Sequence, residues 1–255
     1  MPQPAAPISP PDDAAYEAQA LAELAAWRER VTRGPGLLDR ASRGVQDRIN
    51  RAIPEKVHAA VTRVMEQMTR TILTGSGLTT RKPVRDATLR AREDLARQRI
   101  AAYRAGAAAE GGVAGAGGFL LAAADFPALI GIKIKLLFEL AALYGRDTKD
   151  VGERLYILSI FQLAFSSPRH RHAVYEAMLD WEARAHEAPA SFDGFDWRRF
   201  QQEYRDYIDL AKLAQLIPVI GAPVGAVVNY RLLDKLGDTA MNAYRLRWAA
   251  ERERA

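Results

Sequence analysis

The glycines of residues 111–118 are the first pattern that could do chemistry, because glycine-rich loops bind phosphate through their backbone N–H groups. The segment reads GGVAGAGG. A G-x-G-x-x-G motif that starts at Gly115 would need its last glycine where Leu120 stands, and no G-K-[ST] sequence follows. The spacing therefore predicts no nucleotide site in this segment, and no other pattern predicts a cofactor.

The histidines and hydroxyl residues do not form a metal-binding or nucleophilic pattern. His170 and His172 are two residues apart, a spacing that places them on different faces of a helix. The chain has no cysteine, no H-E-x-x-H motif and no G-x-S-x-G motif. No metal site is predicted. These residue types favour a non-catalytic protein and leave the enzyme class open.

Asp125 is the charged residue within the otherwise uncharged run 111–132. Phe126 and Pro127 follow it, and an aspartate before a proline is typical of a helix start, with the carboxylate as N-cap. We therefore predict that Asp125 caps a helix that begins at Phe126. The alternative is an ionisable group placed at apolar depth for a functional purpose.

Helical spacing of apolar residues predicts an all-α, single multi-helix domain. Gly145 is the expected C-cap of the fourth helix, and Asp150 with Glu153 forms a D-x-x-E capping pattern for the fifth. The expected helices are residues 12–33, 37–73, 82–109, 126–144, 151–165, 168–186, 195–217 and 222–250.

Two uncharged stretches with many glycines and prolines, 111–124 and 213–230, are expected to pack centrally. Gly111 and Gly115 are four residues apart, as are Gly221 and Gly225. Small residues at this spacing let two helices approach closely, either in lipid or inside a soluble core.

Positive charge is concentrated before the first of these stretches. Residues 33–104 hold 16 Lys and Arg against 7 Asp and Glu, within a chain of 255 residues and net charge +5. Clustered arginine beside apolar sequence fits an anionic membrane surface, and the alternative is a solvated helix face without a binding role. Arg85, Arg92 and Arg99 stand at one-face helical spacing and are the predicted membrane-facing residues. Nucleic acid is not expected as a partner, because no recognisable binding module is present.

Three blocks of the chain resemble the EcsC family. They are residues 49–76, residues 111–147 with the D-x-P and Y-G-x-D motifs, and residues 216–248 with I-P-V-x-G and N-Y. The likeness divides the chain into a proline-rich tail and helix at 1–33 and a helical domain at 34–255. Its motif positions are Gly111, Gly115, Gly117, Asp125, Pro127, Tyr144, Gly145, Asp147, Pro218, Gly221, Asn229 and Tyr230.

The resemblance implies no catalytic residues, since the family's activity is not established. Its name-giving member is encoded beside a bacterial ABC transporter. We therefore expect a cytoplasmic accessory or regulatory protein at the inner face of the cell membrane, docked on lipid or on a membrane protein such as an ABC transporter. The alternative is a soluble enzyme of unknown reaction, with Asp125, Asn229 and Tyr230 between the two glycine-rich segments. The sequence predicts no oligomeric state.

Overall fold

The structure is a computed structural model that describes residues 11–33, 82–114, 118–166, 168–179, 181–182 and 221–254. Six elements occur in this part of the chain and all are α-helices, which confirms the all-α prediction. They are α1 (Pro11–Thr32), α2 (Leu89–Ala114), α3 (Gly118–Leu143), α4 (Val151–Phe165), α5 (Pro168–Leu179) and α6 (Gly221–Arg254). The helices expected at 37–73 and 195–217 lie outside the described residues.

Helices α2 and α6 form an antiparallel pair along most of their length. Three contacts fix the register. Arg104 donates to Asp234 at 2.5 Å, Gly237 faces Ile100, and Arg245 donates to Glu93. Residue numbers rise along one helix as they fall along the other, so the C-terminal end of α2 lies beside the N-terminal end of α6.

Helix α3 runs antiparallel to α2 on another side. The Tyr103 hydroxyl donates to Glu139 at 2.9 Å, and farther along the pair Arg92 donates to the carbonyl of Tyr144. The N-terminal end of α3 therefore lies at the same end of the molecule as the last residues of α2 and the first residues of α6. The opposite half of α3 supplies much of the core, with Leu136, Leu140 and Ala141 fully buried.

Helix α1 packs across α2, α5 and α6. Leu24 and Trp27 are buried, whereas Leu21 is exposed. Ala20 and Val31 complete the buried face. The N-terminal helix is therefore part of the common core.

The C-terminus of α3 confirms the role predicted for Gly145. This glycine has φ +83, a left-handed conformation that is strained for residues with a Cβ atom. The N–H of Gly145 donates to the carbonyl of Ala142, and the N–H of Arg146 donates to the carbonyl of Ala141. These are the two hydrogen bonds of a Schellman motif, and they satisfy carbonyls that the helix end leaves open.

Helix α4 has the bounds predicted from the sequence. Asp150 is the N-cap, and its Oδ1 accepts from the backbone N–H of Gly152 at 3.1 Å. Glu153 does not return a hydrogen bond to the cap as in a full capping box. Its carboxylate instead accepts from Tyr244 and Arg247 of α6.

Replacing Asp150 by Ala is expected to destabilise the protein by about 0.5–2 kcal/mol, because the N–H of Gly152 then loses its acceptor. Asp150→Asn keeps a capping oxygen and serves as the control, with an unfolding midpoint near that of the parent. Urea unfolding followed by circular dichroism measures both. Equal loss in the two variants would mean that the charge of Asp150, and not its cap, provides the stability.

The prediction that Asp125 is an N-cap is wrong. Helix α3 begins at Gly118, so Asp125 and Pro127 lie inside a continuous helix. The residues before Asp125 read FLLAAA, and alanine and leucine are strong helix formers that carry the helix upstream of the cap-like pattern.

Helix α2 also differs from its predicted bounds of 82–109. It begins at Leu89, because Thr88 accepts from the N–H of Ala91 and acts as the N-cap. It continues to Ala114, so Gly111 lies within the helix. Residues 82–88 are not helical.

Candidate functional site

Helices α2, α3 and α6 form a three-helix array. One end of this array carries a buried ion-pair cluster around Arg245 of α6. Its Nε and Nη2 donate to the two oxygens of Glu93 at 2.7 and 2.6 Å, and its Nη1 donates to Glu23 of α1 at 2.8 Å. Glu93 is fully buried and also accepts from the Tyr16 hydroxyl. Burial disfavours the charge on Arg245, but the hydrogen bonds with Glu93 and Glu23 outweigh it and raise the pKa well above its usual range.

A second cluster surrounds Arg247, which lies two residues after Arg245 on a different face of α6. It donates to Glu153 at 2.5 Å and to Glu182 at 2.6 Å, and its guanidinium lies 4.6 Å from the ring centre of Tyr156. Tyr244 donates to the same Glu153 at 2.8 Å. Burial raises the pKa of Tyr244 well above its ordinary value, so its hydroxyl remains a donor.

A cavity of about 200 Å³ adjoins the second cluster, between α5 and the C-terminal part of α6. Met178, Leu179, Trp181 and Leu246 form its apolar wall, and Arg247 with Glu182 forms part of its polar wall. The carboxylates of both clusters are held by arginine. Their arrangement crosslinks helices α1, α2, α4 and α6, and it does not present a carboxyl group poised for proton transfer.

The opposite end of the array, which we name the glycine-rich end, consists of residues 105–114, 118–132 and 221–230. Among these residues only Glu110 and Asp125 are charged. The two apolar stretches of the sequence contribute most of it, and the antiparallel register of α2, α3 and α6 brings them to one place. Within the described ranges, no helix is both long and apolar enough to cross a membrane.

Three basic residues border the glycine-rich end, and we name them the basic collar: Arg104, Lys135 and Arg231. The Arg104 guanidinium lies 4.0 Å from the ring centre of Tyr230 and binds Asp234. Lys135 and Arg231 are exposed. Lys135 precedes Glu139 by one turn and Arg231 precedes Asp234 by about one turn, so both cations stand slightly beyond the level of Arg104 toward the glycine-rich end.

The structure separates the predicted motif positions into two groups. Gly111, Asp125, Pro127, Gly221, Asn229 and Tyr230 belong to helices of the glycine-rich end. Tyr144, Gly145 and Asp147 lie at the opposite end, where Tyr144 stacks on Tyr244 with ring centres 5.0 Å apart and Asp147 accepts from the N–H of Lys149. Gly115, Gly117 and Pro218 lie outside the described residues.

The three polar residues of the alternative enzyme site, Asp125, Asn229 and Tyr230, do not lie at one level of the array. Asp125 is 14 residues before Glu139, so its backbone lies about 21 Å along α3 from the level of Tyr103. Tyr230 precedes Asp234 by four residues, about 6 Å along α6 from the level of Arg104. Asp125 and Tyr230 are therefore separated by about 15 Å along the array, which exceeds the reach of groups that act on one small substrate atom.

Arg85, Arg92 and Arg99 do not form the predicted basic helix face. Arg85 precedes α2, so helical spacing does not apply to it. Arg92 donates to the carbonyl of Tyr144, just after α3, and to the carbonyl of Arg85, and burial lowers the pKa of Arg92. Arg99 lies 3.5 Å from Glu139. Arg85 and Arg92 also stand at the far end from the glycine-rich segments.

The arginine–glutamate clusters are absent from the sequence predictions. Arg245 and Glu93 are 152 residues apart and Arg247 and Glu153 are 94 apart, so no local spacing links them. Glu153 is the one member of these clusters that local sequence could have marked as buried, although its spacing from Asp150 predicts a capping role. A glutamate that faces the core of an apolar helix such as YILSIFQLAF needs a buried cation, and that requirement could have marked it.

Comparison with known proteins identifies relatives in bacteria. The chain is 42% identical to Protein EcsC of Bacillus subtilis (strain 168) over 226 residues, which are 88% of this chain and 93% of that protein. It is 32% identical to Uncharacterized protein YdbA of the same organism over 148 residues, 57% of this chain and 54% of that protein. No solved structure gives a significant match.

The model of the EcsC protein family matches residues 18–249. The match begins within α1, so it includes part of the segment 1–33 that the three sequence blocks leave aside. It also spans both the ion-pair clusters and the glycine-rich end. On this match and on the identity to its curated relative, the chain belongs to the EcsC protein family.

Proposed function

We propose that this protein is a membrane-associated, non-catalytic accessory or regulatory protein of the EcsC type. It docks with its glycine-rich end on an anionic membrane surface or on a membrane protein, at the inner face of the cell membrane. The observation that carries the proposal is the convergence of three charge-poor helix ends at one end of the array. Apolar surface transferred from water to lipid or to a partner contributes about 25 cal/mol per Å².

The apolar length of α3 favours partial entry over a full crossing. Residues 118–132 precede Lys133 and Lys135, and 15 helical residues extend about 22 Å. The hydrocarbon core of a bilayer is about 30 Å thick. Asp125 and Pro127 also interrupt the segment, as Pro218 and Pro223 interrupt the second apolar stretch. These features support docking that reaches into the membrane surface without spanning it.

The ion-pair clusters support a binding role in place of catalysis. Glu93 and Glu153 are held by Arg245 and Arg247 in geometry that satisfies their oxygens. Such crosslinks stabilise the end of the array that faces away from the docking end. The partner class of the proposal includes a membrane protein, and an ABC transporter is the specific example, because the name-giving family member is encoded beside one.

The absence of cysteine allows a direct test with single labelled positions. A Cβ atom at Gly106 or Gly131 meets nothing within 4 Å, so Gly106→Cys and Gly131→Cys should fold normally and place a polarity-sensitive dye at the glycine-rich end. Lys149→Cys is exposed at the opposite end and is the control. On addition of native inner-membrane vesicles, we expect the dye emission at 106 and 131, but not at 149, to move to shorter wavelengths.

Protein-free lipid vesicles then separate the two docking partners. An emission change with lipid alone identifies the lipid surface, whereas a change that needs native membranes and is lost after protease treatment of those membranes identifies a membrane protein. The proposal fails if no membrane preparation changes the emission, or if all three labelled positions respond equally.

A further inference from the structure

We infer that Lys135 and Arg231 of the basic collar bind the phosphate groups of anionic lipid headgroups. The inference rests on the proposed docking of the glycine-rich end, and it selects the lipid surface over a membrane protein as the partner. Its chemistry is that of an ammonium and a guanidinium group, both of which bind phosphate oxygens through charge-assisted hydrogen bonds.

The two cations stand at one level of the molecule. The contact between Tyr103 and Glu139 places Lys135 about one turn beyond Tyr103 along the array. The contact between Arg104 and Asp234 places Arg231 at a similar height on α6. A planar surface that met the glycine-rich end would therefore meet both cations at the same depth.

Both side chains are available for a ligand. Lys135 and Arg231 are exposed and form no ion pair with the described residues. The third member of the collar, Arg104, is held between Tyr230 and Asp234 and is less available. Among the arginines nearer the opposite end, Arg97 and Arg245 are held by carboxylates.

The direction of α3 and α6 favours a contact of Lys135 and Arg231 with lipid phosphate groups. Helices α3 and α6 both begin at the glycine-rich end, and Cα–Cβ bonds tilt toward the N-terminus of a helix. Lys135 and Arg231 therefore start from backbone positions that direct them toward the docking surface. Their aliphatic stems can lie against apolar atoms while the charged groups reach the headgroup layer.

Charge complementarity then selects an anionic surface. Beyond the collar, the described helices carry no basic residue except the buried Lys133. Each exposed cation near an anionic surface is expected to strengthen binding by about 5-fold. Replacing Lys135 and Arg231 together by glutamine is therefore expected to weaken binding by about 30-fold.

The experiment measures flotation of the full chain with vesicles of phosphatidylcholine alone or of phosphatidylcholine with phosphatidylglycerol. It compares the parent, the variant Lys135→Gln/Arg231→Gln and the control Arg85→Gln/Lys149→Gln, which removes two exposed cations at the far end. We expect the parent to prefer the anionic vesicles, the collar variant to lose about 30-fold in partitioning, and the control to stay near the parent. Circular dichroism checks that all three chains fold.

Two further arms separate the sources of the effect. Inorganic phosphate at millimolar concentration should not release the parent, since the vesicle presents many headgroups at once, whereas 1 M salt should release it through screening. Release by millimolar phosphate would identify a free-phosphate site and overturn the lipid assignment. Equal loss in the collar and control variants would overturn it in favour of net charge alone.

Failure of this inference differs from failure of the proposed function. If the parent binds both vesicle types equally and the collar variant is unchanged, the phosphate contact is wrong and the docking end stands. If the parent binds no vesicle but the dye at Gly131→Cys responds to native membranes, the collar inference is wrong and a membrane protein is the partner. If neither vesicles nor native membranes produce a response, the proposed function fails as well.

Discussion

Replacing Arg245 by Leu is expected to lower the free energy of unfolding by about 3–5 kcal/mol, because the change leaves a buried carboxylate without its main partner. Glu93 has no exposed surface, and both of its oxygens accept from Arg245. Among the described residues, the Tyr16 hydroxyl and a 3.5 Å contact with Arg97 would remain as partners of Glu93. Urea unfolding of the purified chain, followed by circular dichroism, measures the loss.

The control removes both charges together. Glu93→Leu/Arg245→Leu should recover most of the stability that Arg245→Leu loses, since apolar residues can replace a buried ion pair at little cost. Arg245→Lys should lie between the parent and Arg245→Leu, because lysine keeps the charge and loses the bidentate geometry. An Arg245→Leu variant as stable as the parent would show that Glu93 is compensated without the ion pair.

Replacing Gly237 by Leu is expected to destabilise the protein by about 3 kcal/mol through overpacking between α2 and α6. A Cβ atom at Gly237 would lie 2.7 Å from Cδ1, 2.8 Å from Cγ1 and 2.9 Å from Cγ2 of Ile100. Ile100 is buried and branched at Cβ, so it has few alternative conformations. Thermal unfolding at matched protein concentration measures the effect.

A second substitution tests whether the clash with Ile100 is the cause. Ile100→Ala alone should cost about 2–5 kcal/mol by leaving a cavity. In Gly237→Leu/Ile100→Ala the added side chain can use that space, so the double variant should be more stable than the sum of the two single losses implies. Additive losses would mean that Gly237→Leu acts elsewhere.

Local sequence predicted the elements whose ends depend on one or two residues. The start of α4 followed from Asp150, and the turn after α3 followed from Gly145, because capping chemistry is local. The same reasoning failed at Asp125. The D-F-P sequence has the form of a cap, but the preceding leucines and alanines favour helix strongly enough that α3 continues through it.

Contacts between helices that are distant in sequence determine the surroundings of the basic residues, and the sequence did not predict these contacts. Arg92 and Arg99 have the spacing of an exposed basic face. In the structure, however, Arg92 donates to the carbonyl of Tyr144 just after α3, and Arg99 lies 3.5 Å from Glu139 of α3. Lys135 and Arg231 of the basic collar are 96 residues apart, so their spacing carries no signal of a common site, and only the register of α2, α3 and α6 brings them to one level. Local residue spacing gives no direct signal of such a register.

The position of Arg245 on the last helix has a consequence for synthesis of the chain. It joins Glu23 of α1, 222 residues earlier, and Glu93 of α2, 152 residues earlier. At about 5–20 residues per second, a ribosome needs roughly 10–45 s to proceed from residue 23 to residue 245. Helices form in microseconds or less, so α1 can form long before α6, which packs against it, has been synthesised. Until α6 emerges, the apolar side chains of Leu24 and Trp27 lack part of their packing. A chain released before residue 245 also lacks the arginine that neutralises the carboxylate of Glu93.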